Sequence, residues 1–495
     1  MMKKKYINII VSLAAITIFT SCGNFLKETS QDEFEPKDVE SYQQLLNGVG
    51  YGTTTTIDPL THIMTDEVTG YAADSYSYTE EYLAYKDIYT WQSTMDATLQ
   101  GKSLPKVTRS YQDLYSLIMT CNLVIDAVNN VDGTDDEKKQ TMGEAKALRA
   151  YYYWYLVNLY AKPYNTAGTT PDRLAGVPII TSAEIKDDGP TRNTVAEVYT
   201  QICNDIEDAC TLLDQEKSTT VSLFRINHNA AHLLASRIYL YMEKWDKVIE
   251  HVDACLTSAP SLCNFNTYTL SNTSSPDKAN NNVISKSFPE VMFIGGFGGY
   301  EINRNGASLS CLSSELVNTF DATDLRKKMF FQAQGSWSTY PYLNAKHGIS
   351  EQEYVWRTAE LYLNRAEAYA MKFKAGDSGS GAKAVSDLNT LRKNRIAAAS
   401  YTDYTLGTAD ELIAFVRAER RRELAMENPH RWFDLRRYGM ASIRHLWVDA
   451  AGVHSYYTLK DGEAGWVLPI PAEALNLNTN LKQNELAPIR AAESE

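Results

Sequence analysis

The sequence predicts a mostly α-helical fold built from degenerate, tetratricopeptide-like helix pairs, and three observations predict it. Apolar residues recur near every 3.6 positions in several stretches; in 142–160, Leu148, Tyr152, Tyr155, Leu156 and Leu159 follow that period. A local repeat returns three times, as Leu148-Arg149-Ala150-Tyr151, Ser236-Arg237-Ile238-Tyr239 and Asn364-Arg365-Ala366-Glu367-Ala368-Tyr369. Small residues beside Arg and Tyr let neighbouring helices approach, as in stacked helix pairs. Two long irregular insertions, 53–106 and 257–348, interrupt the array, and such insertions are where binding usually sits.

The chain opens with Lys3, Lys4 and Lys5 ahead of a short apolar run, 7–19, too short to span a bilayer. Thr20 and Ser21 are small, and Cys22 follows directly. This reads as a lipoprotein signal peptide, 1–21, ending in a lipobox whose Cys22 becomes lipidated. Phe19 departs from the leucine usual three residues before that cysteine, and simple secretion is the alternative. Acyl chains at about 0.8 kcal/mol per buried methylene would hold the protein on a membrane. Residues 22–36 form a polar, acidic tether, and 37–495 a single domain.

Within that domain, helices are expected at 142–160 and at 194–213, the latter with Asn193 as N-cap. A helical hairpin follows, 227–241 and 245–256, turning at Glu243-Lys244. Helices 353–371 and 381–395 pair across a Gly/Ser-rich turn, and 412–427 pairs with the segment beyond Pro429. His228 and His232 have the i, i+4 spacing of a metal-binding helix. Asn229 stands where a metalloprotease would carry Glu, however, and the sequence shows no third ligand, so a packed or capping role is expected, with no metal and no cofactor. Cys203 and Cys210 lie roughly 10 Å apart on one helix and cannot pair. Cys255 and Cys263 could pair across a turn, but no cysteine spacing suits zinc and buried free thiols are the expectation.

Residues 417–439 read RAERRRELAMENPHRWFDLRRYG. Glu419, Glu423 and Glu427 stack along one ridge, where like charges repel by a few tenths of a kcal/mol each. Pro429 breaks the helix, and Arg431, Arg436 and Arg437 follow among Trp432, Phe433 and Leu435. The pattern predicts two helices joined by a tight turn, arginines of the second answering carboxylates of the first. The formal charge of −13 and the alternation of acids with bases disfavour nucleic acid as a partner. Tyrosines number 32 against 14 phenylalanines, a surplus suited to aromatic surfaces that meet something wet.

Taken in order, 419–439, 144–160, 189–209, 359–369, 388–395, 468–484 and Asp324-Leu325-Arg326 make the chain resemble the SusD/RagB family of Bacteroidetes surface lipoproteins. The resemblance runs from Cys22 to about Asn484. Asn428-Pro429 departs from it by replacing the usual Gly, and Ala161-Lys162-Pro163 stands where Gly-Asp-Val-Pro is common. It implies four tetratricopeptide-like helix pairs as a scaffold, with a large irregular, loop-rich ligand-binding half. It implies no catalysis. It further implies a surface-facing, lipid-anchored protein of the outer membrane that binds oligosaccharides or polysaccharides and passes them to a SusC-like TonB-dependent transporter. The alternative is uptake of peptides or proteins, in the RagB manner.

Sugar rings pack their C–H faces on aromatics while their hydroxyls seek Asp, Asn or Arg. One aromatic run with interleaved acids contains Tyr76, Tyr78, Tyr85, Tyr89 and Trp91; by the resemblance, Asp66 and Trp91 lie where the family builds its glycan site. A second contains Phe297, Tyr300, Trp337 and Tyr340. The predicted ligand-binding residues are thus Asp66, Tyr76, Tyr78, Trp91, Phe297, Tyr300, Trp337 and Tyr340. For Trp91 a second reading stands, a core tryptophan against the first helix pair. Tyr151-Tyr152-Tyr153-Trp154-Tyr155 covers every face of a helix and reads as scaffold packing. The run GGFGGY lacks the Lys and Ser/Thr of a phosphate loop and reads as a turn or bulge. No pair of carboxylates is marked out for glycoside hydrolysis.

Overall fold

Several helix starts are set by side chains that accept backbone N–H groups otherwise left without partners. The computed structural model describes residues 36–52, 61–70, 85–95, 109–184, 189–215, 222–297, 310–333, 342–348, 352–427, 429–449, 451 and 453–494. Helix α1 (Val39–Leu45) begins at Asp38, whose carboxylate accepts the Ser41 N–H at 2.8 Å. After strand β1 (Val68–Gly70) come α2 (Arg109–Ala127) and α3 (Asp135–Tyr160). A Thr134–Glu137 capping box starts α3 seven residues before Met142. All five residues of Tyr151–Tyr155 are buried, with α2 and α4 (Val195–Gln215) packed on two sides of α3. Buried phenols keep polar partners: Tyr153 donates to the Ile180 carbonyl at 2.8 Å.

The cap of α4 is Thr194, not Asn193; Thr194 and Glu197 exchange hydrogen bonds, while the Asn193 side chain accepts the Ile179 N–H at 3.0 Å. The hairpin α5 (His228–Tyr241) and α6 (Trp245–Leu256) lies where expected, with Glu243 at a φ of +57° making the turn. Its N-cap is Asn227, which accepts the Ala230 N–H at 3.0 Å.

In the second insertion the described strands are β2 (Val291–Phe297), β3 (Ser310–Leu312), β4 (Phe331–Ala333) and β5 (Tyr342–Asn344), and β6 (Gln352–Arg357) follows just beyond it. Short helices α7 (Ser314–Asn318) and α8 (Arg326–Phe330) separate β3 from β4. Strand β2 pairs antiparallel with β6, β1 with β3 and β4 with β5. The helix expected from Glu353 therefore starts later, as α9 (Thr358–Lys374), because Tyr354-Val355-Trp356 favours a strand. Helices α10 (Ser378–Lys393), α11 (Ala409–Glu423) and α12 (His430–Arg437) follow, then an antiparallel hairpin of β7 (Ile443–Val448) and β8 (His454–Leu459), and α13 (Ala472–Leu477).

The repeated arginines explain the local repeat. Arg149 on α3 makes a bidentate pair with Asp205 on α4 at 2.8 and 2.6 Å. Arg237 on α5 does the same with Glu360 on α9 at 2.8 and 2.6 Å, and Arg365 on α9 with Asp387 on α10 at 2.9 and 2.7 Å. Each guanidinium fork thus ties one helix to another in a partly or fully buried seam. Residues Asp38–Glu495 form one compact unit. Among the described residues, no helix is long and apolar enough to cross a membrane.

Candidate ligand-binding loops and their ionic frame

The three glutamates of the 417–439 ridge are buried, and burial alone would raise their pKa values. They remain ionised because cations surround them, although not the cations expected. Glu423 receives Arg326 Nη1 at 3.0 Å, Arg357 Nη1 at 2.5 Å and Arg395 Nε at 3.0 Å. Desolvation is the largest influence on it, yet Arg395, Arg357 and Arg326 outweigh it and hold the carboxyl well below its ordinary value. Glu427 accepts Lys346 Nζ at 2.6 Å and Arg357 Nη2 at 2.7 Å. Glu419 pairs with Arg326 at 2.7 Å and with Arg422 at 2.6 Å. Glu290 and Asp324 close the network, at 2.6 Å from Arg395 and Arg326 respectively.

The arginines of α12 point elsewhere, which corrects the expected seam. Arg437 binds Glu367 and Asp434, Arg436 donates to the Trp466 and Ala161 carbonyls, and Arg431 clamps Asp66. The contact that does join α11 to α12 runs the opposite way, from Arg420 to Asp434 at 2.8 Å. The glutamate ridge faces the second insertion, so its counter-charges come from that insertion and from the flanks of α9 and α10.

Asp66 accepts Arg431 Nε and Nη2 at 2.7 and 2.5 Å, and Arg421 lies at 3.1 Å. Burial raises its pKa, but these two arginines prevail and lower it. The acid placed in the binding region by resemblance thus fastens the first insertion to α11 and α12. Its neighbour Glu67 is buried and accepts the Met426 N–H at 2.8 Å; desolvation pushes it up to about 7.

Trp91 is 0% exposed, which corrects its assignment as a ligand contact. Its indole donates to the Met64 carbonyl at 3.0 Å, and its ring lies 4.1 Å from that of His445. This bears out its second reading as a core tryptophan, and its described ring neighbour is His445 on the β7–β8 hairpin. Tyr89 stacks on the other side of His445, with centroids 4.3 Å apart, and Tyr85 is buried nearby in the chain. Each His445 ring nitrogen is 2.8 Å from a carbonyl, Tyr89 or Thr65, while burial lowers the ring to about 4. The backbone of Trp91 sits at a φ of +52°, an unusual conformation held by this packing.

Tyr76, Tyr78, Tyr300, Trp337, Tyr340 and Cys22 lie outside the described residues, as does the side chain of Phe297, whose backbone ends β2 opposite Gln352. A shallow cleft of about 510 Å³ lies elsewhere, lined by Tyr404, Thr405, Gly407, Glu411, Ala414 and Phe415, and includes none of the predicted ligand residues. Sequence reasoning missed Arg421 and Arg431 as partners of Asp66 and His445 as the partner of Trp91. Nothing in a sequence signals pairings across more than 350 residues. The described cysteines Cys121, Cys203, Cys210, Cys255 and Cys263 are all free thiols, so the possible Cys255–Cys263 pair is absent.

A helical scaffold whose two long insertions are fastened by buried ion pairs defines a mostly α-helical class of protein with large irregular insertions. A SusD-like family model described as starch-binding and associating with the outer membrane matches residues 24–240, and the SusD family model matches residues 320–486. The chain belongs to the SusD/RagB family. A SusD-like protein of Formosa agariphila is 33% identical over 70 residues, covering 14% of this chain and 13% of that relative. Three solved structures share the fold. A SusD superfamily protein of Bacteroides vulgatus has a TM-score of 0.68 at 18% identity, covering 92% of this chain and 100% of that one. One from Bacteroides fragilis has 0.66 at 21%, covering 90% and 99%. A SusD-like carbohydrate binding protein of Bacteroides vulgatus has 0.63 at 20%, covering 90% and 98%.

Proposed function

We propose that this protein is a cell-surface lipoprotein, anchored in the outer membrane through Cys22, that binds oligosaccharides or polysaccharides. It delivers them to a SusC-like TonB-dependent transporter and does no chemistry on them. The observation that carries this reading is the pair of ordered family matches, 24–240 and 320–486, the first to a family described as starch-binding and outer-membrane associated. The ionic frame agrees with a passive role. Glu67, the described acid of the first insertion with a pKa raised to about 7, is buried and already accepts the Met426 N–H. Ligand contact falls to Tyr76, Tyr78, Phe297, Tyr300, Trp337 and Tyr340.

The test is retention in native gels loaded with a polysaccharide panel, alongside calorimetry with oligosaccharides and with protein digests. Trp337→Ala and Tyr300→Ala should each weaken glycan binding by roughly 1–3 kcal/mol, with the melting temperature unchanged. Binding of the digest and of no glycan would establish the peptide reading instead. Release of reducing ends from a labelled glycan would overturn the non-catalytic assignment.

A further inference from the structure

The two histidines spaced i, i+4 at the start of α5 acquire in the fold the third ligand that the sequence does not show. Asp214, in the last turn of α4, places Oδ1 2.6 Å from His228 Nδ1 and 2.9 Å from His232 Nε2. These three donor atoms lie within 4.8 Å of one another, and the set grades from Asp214, 46% exposed, to His232, which is buried. Solvent reaches it from the carboxylate side.

Behind His232 the hydrogen bonds form a line. His232 Nδ1 meets His251 Nδ1 at 3.0 Å, and His251 Nε2 meets Glu207 Oε1 at 3.4 Å. Tyr239 also donates to that Glu207 oxygen, at 2.6 Å, and Lys247 lies 3.2 Å from it. The line from Asp214 to Glu207 has three junctions, but two neutral imidazoles carry only two N–H groups. One junction is therefore short of a proton. With His251 donating to Glu207 and His232 Nδ1–H donating to His251, the shortage falls between His232 Nε2 and Asp214. In that tautomer a lone pair faces a carboxylate, and the second imidazole, His228, meets the same oxygen.

We propose that Asp214, His228 and His232 bind a divalent d-block ion such as Zn²⁺ or Co²⁺, with water completing the coordination. Two imidazoles and one carboxylate are a donor set for such ions, and His232 receives the orienting partner through its other nitrogen that metal-bound histidines characteristically have. Bonds of about 2.0–2.1 Å in tetrahedral geometry need ligand atoms about 3.3 Å apart. Asp214 Oδ1 must therefore draw back from the two imidazoles by about 0.4–0.7 Å to reach that spacing, which its half-exposed side chain can supply. Bound there, the ion cross-braces the end of α4 to the start of α5.

The experiment uses tag-free, full-length protein freed of metal by dialysis against chelator, at neutral pH. Zn²⁺ is titrated by calorimetry and Co²⁺ by visible absorption. One equivalent should bind with the d–d bands of a tetrahedral or five-coordinate ion, and saturating Zn²⁺, at about 100 times Kd, should raise the melting temperature by about 3 °C. His228→Gln and Asp214→Asn, both on the solvent side, should weaken binding by more than tenfold while the metal-free melting temperature stays near that of the parent. His251→Gln should weaken it about tenfold by removing the orienting partner. Absence of stoichiometric binding, or binding undiminished in both solvent-side variants, would overturn the site. So would a thiolate-to-cobalt band, which would place the ion on the inner set of Cys210, His232 and His251.

Discussion

Replacing Glu423 by glutamine removes one negative charge from among three guanidiniums while changing almost no volume. Arg326, Arg357 and Arg395 all donate to this carboxylate, and all four groups are buried. The amide offers one acceptor in place of two and turns an NH₂ toward a guanidinium. Arg326 would keep Asp324, Arg395 would keep Glu290 and Arg357 would keep Glu427, so no arginine is stranded. The network as a whole does become net positive: Arg326, Arg357, Arg395, Lys346 and Arg422 balance Asp324, Glu290, Glu419, Glu423 and Glu427 before the change. Breaking a buried ionic arrangement from one side costs about 3–5 kcal/mol. For a chain this long about 1 kcal/mol moves the melting midpoint by about 1 °C, so the expected fall is about 3–5 °C. Differential scanning fluorimetry and urea unfolding read it directly. A Glu423→Gln protein that melts with the parent yet no longer binds glycan would refute the assignment of this ridge to the scaffold.

Other substitutions test other parts of the same argument. Glu67 has a pKa raised from 4.5 to about 7 by burial, so the native state prefers it protonated. Its contribution is fully present below pH 4.5 and is lost as pH rises through 7; Glu67→Gln should remove that slope and be more stable at pH 8 by about 2–3 kcal/mol in urea titrations. Trp91→Ala should cost about 3–5 kcal/mol, read as a lower unfolding midpoint, because it empties a filled core position against His445. Arg149→Met leaves the Asp205 carboxylate buried without its bidentate partner and should cost about 3–5 kcal/mol, checked by urea unfolding. Cys121, Cys210 and Cys255 are buried thiols whose pKa values burial raises, so thiol reagents should label them only after the chain is unfolded in denaturant.

The helical part of the fold was legible because its signals are local. The 3.6 period of α3 and the α5–α6 turn can each be read within twenty residues. Misreadings arose where local preference was close to balanced. Residues 353–357 continue a helical apolar pattern on paper, yet they pair with β2 as a strand. The ridge of Glu419, Glu423 and Glu427 was visible, but its counter-charges, Arg326, Lys346, Arg357 and Arg395, lie 28 to 97 residues away in hydrogen-bonded pairs. Trp91 shows the same limit from the other side. An aromatic in a polar, tyrosine-rich run looks like a ligand platform until His445, 354 positions later, stacks on it.

The placement of the counter-charges gives the ionic core a second consequence. Glu290 directly precedes β2, and Arg326 begins the helix that leads into β4. Lys346 lies two residues beyond β5, and Arg357 ends β6. The network therefore ties the start of β2, the start of α8, the segment after β5 and the end of β6 to the glutamate ridge in one set of ion pairs. A buried ion pair seldom contributes more stability than well-packed apolar residues of equal volume, but it tolerates only one set of partners. Using it at these positions fixes how β2, α8 and β6 sit against the glutamate ridge. On this view Trp337→Ala and Glu423→Gln separate cleanly. The first should change binding at constant stability, the second stability at nearly constant binding.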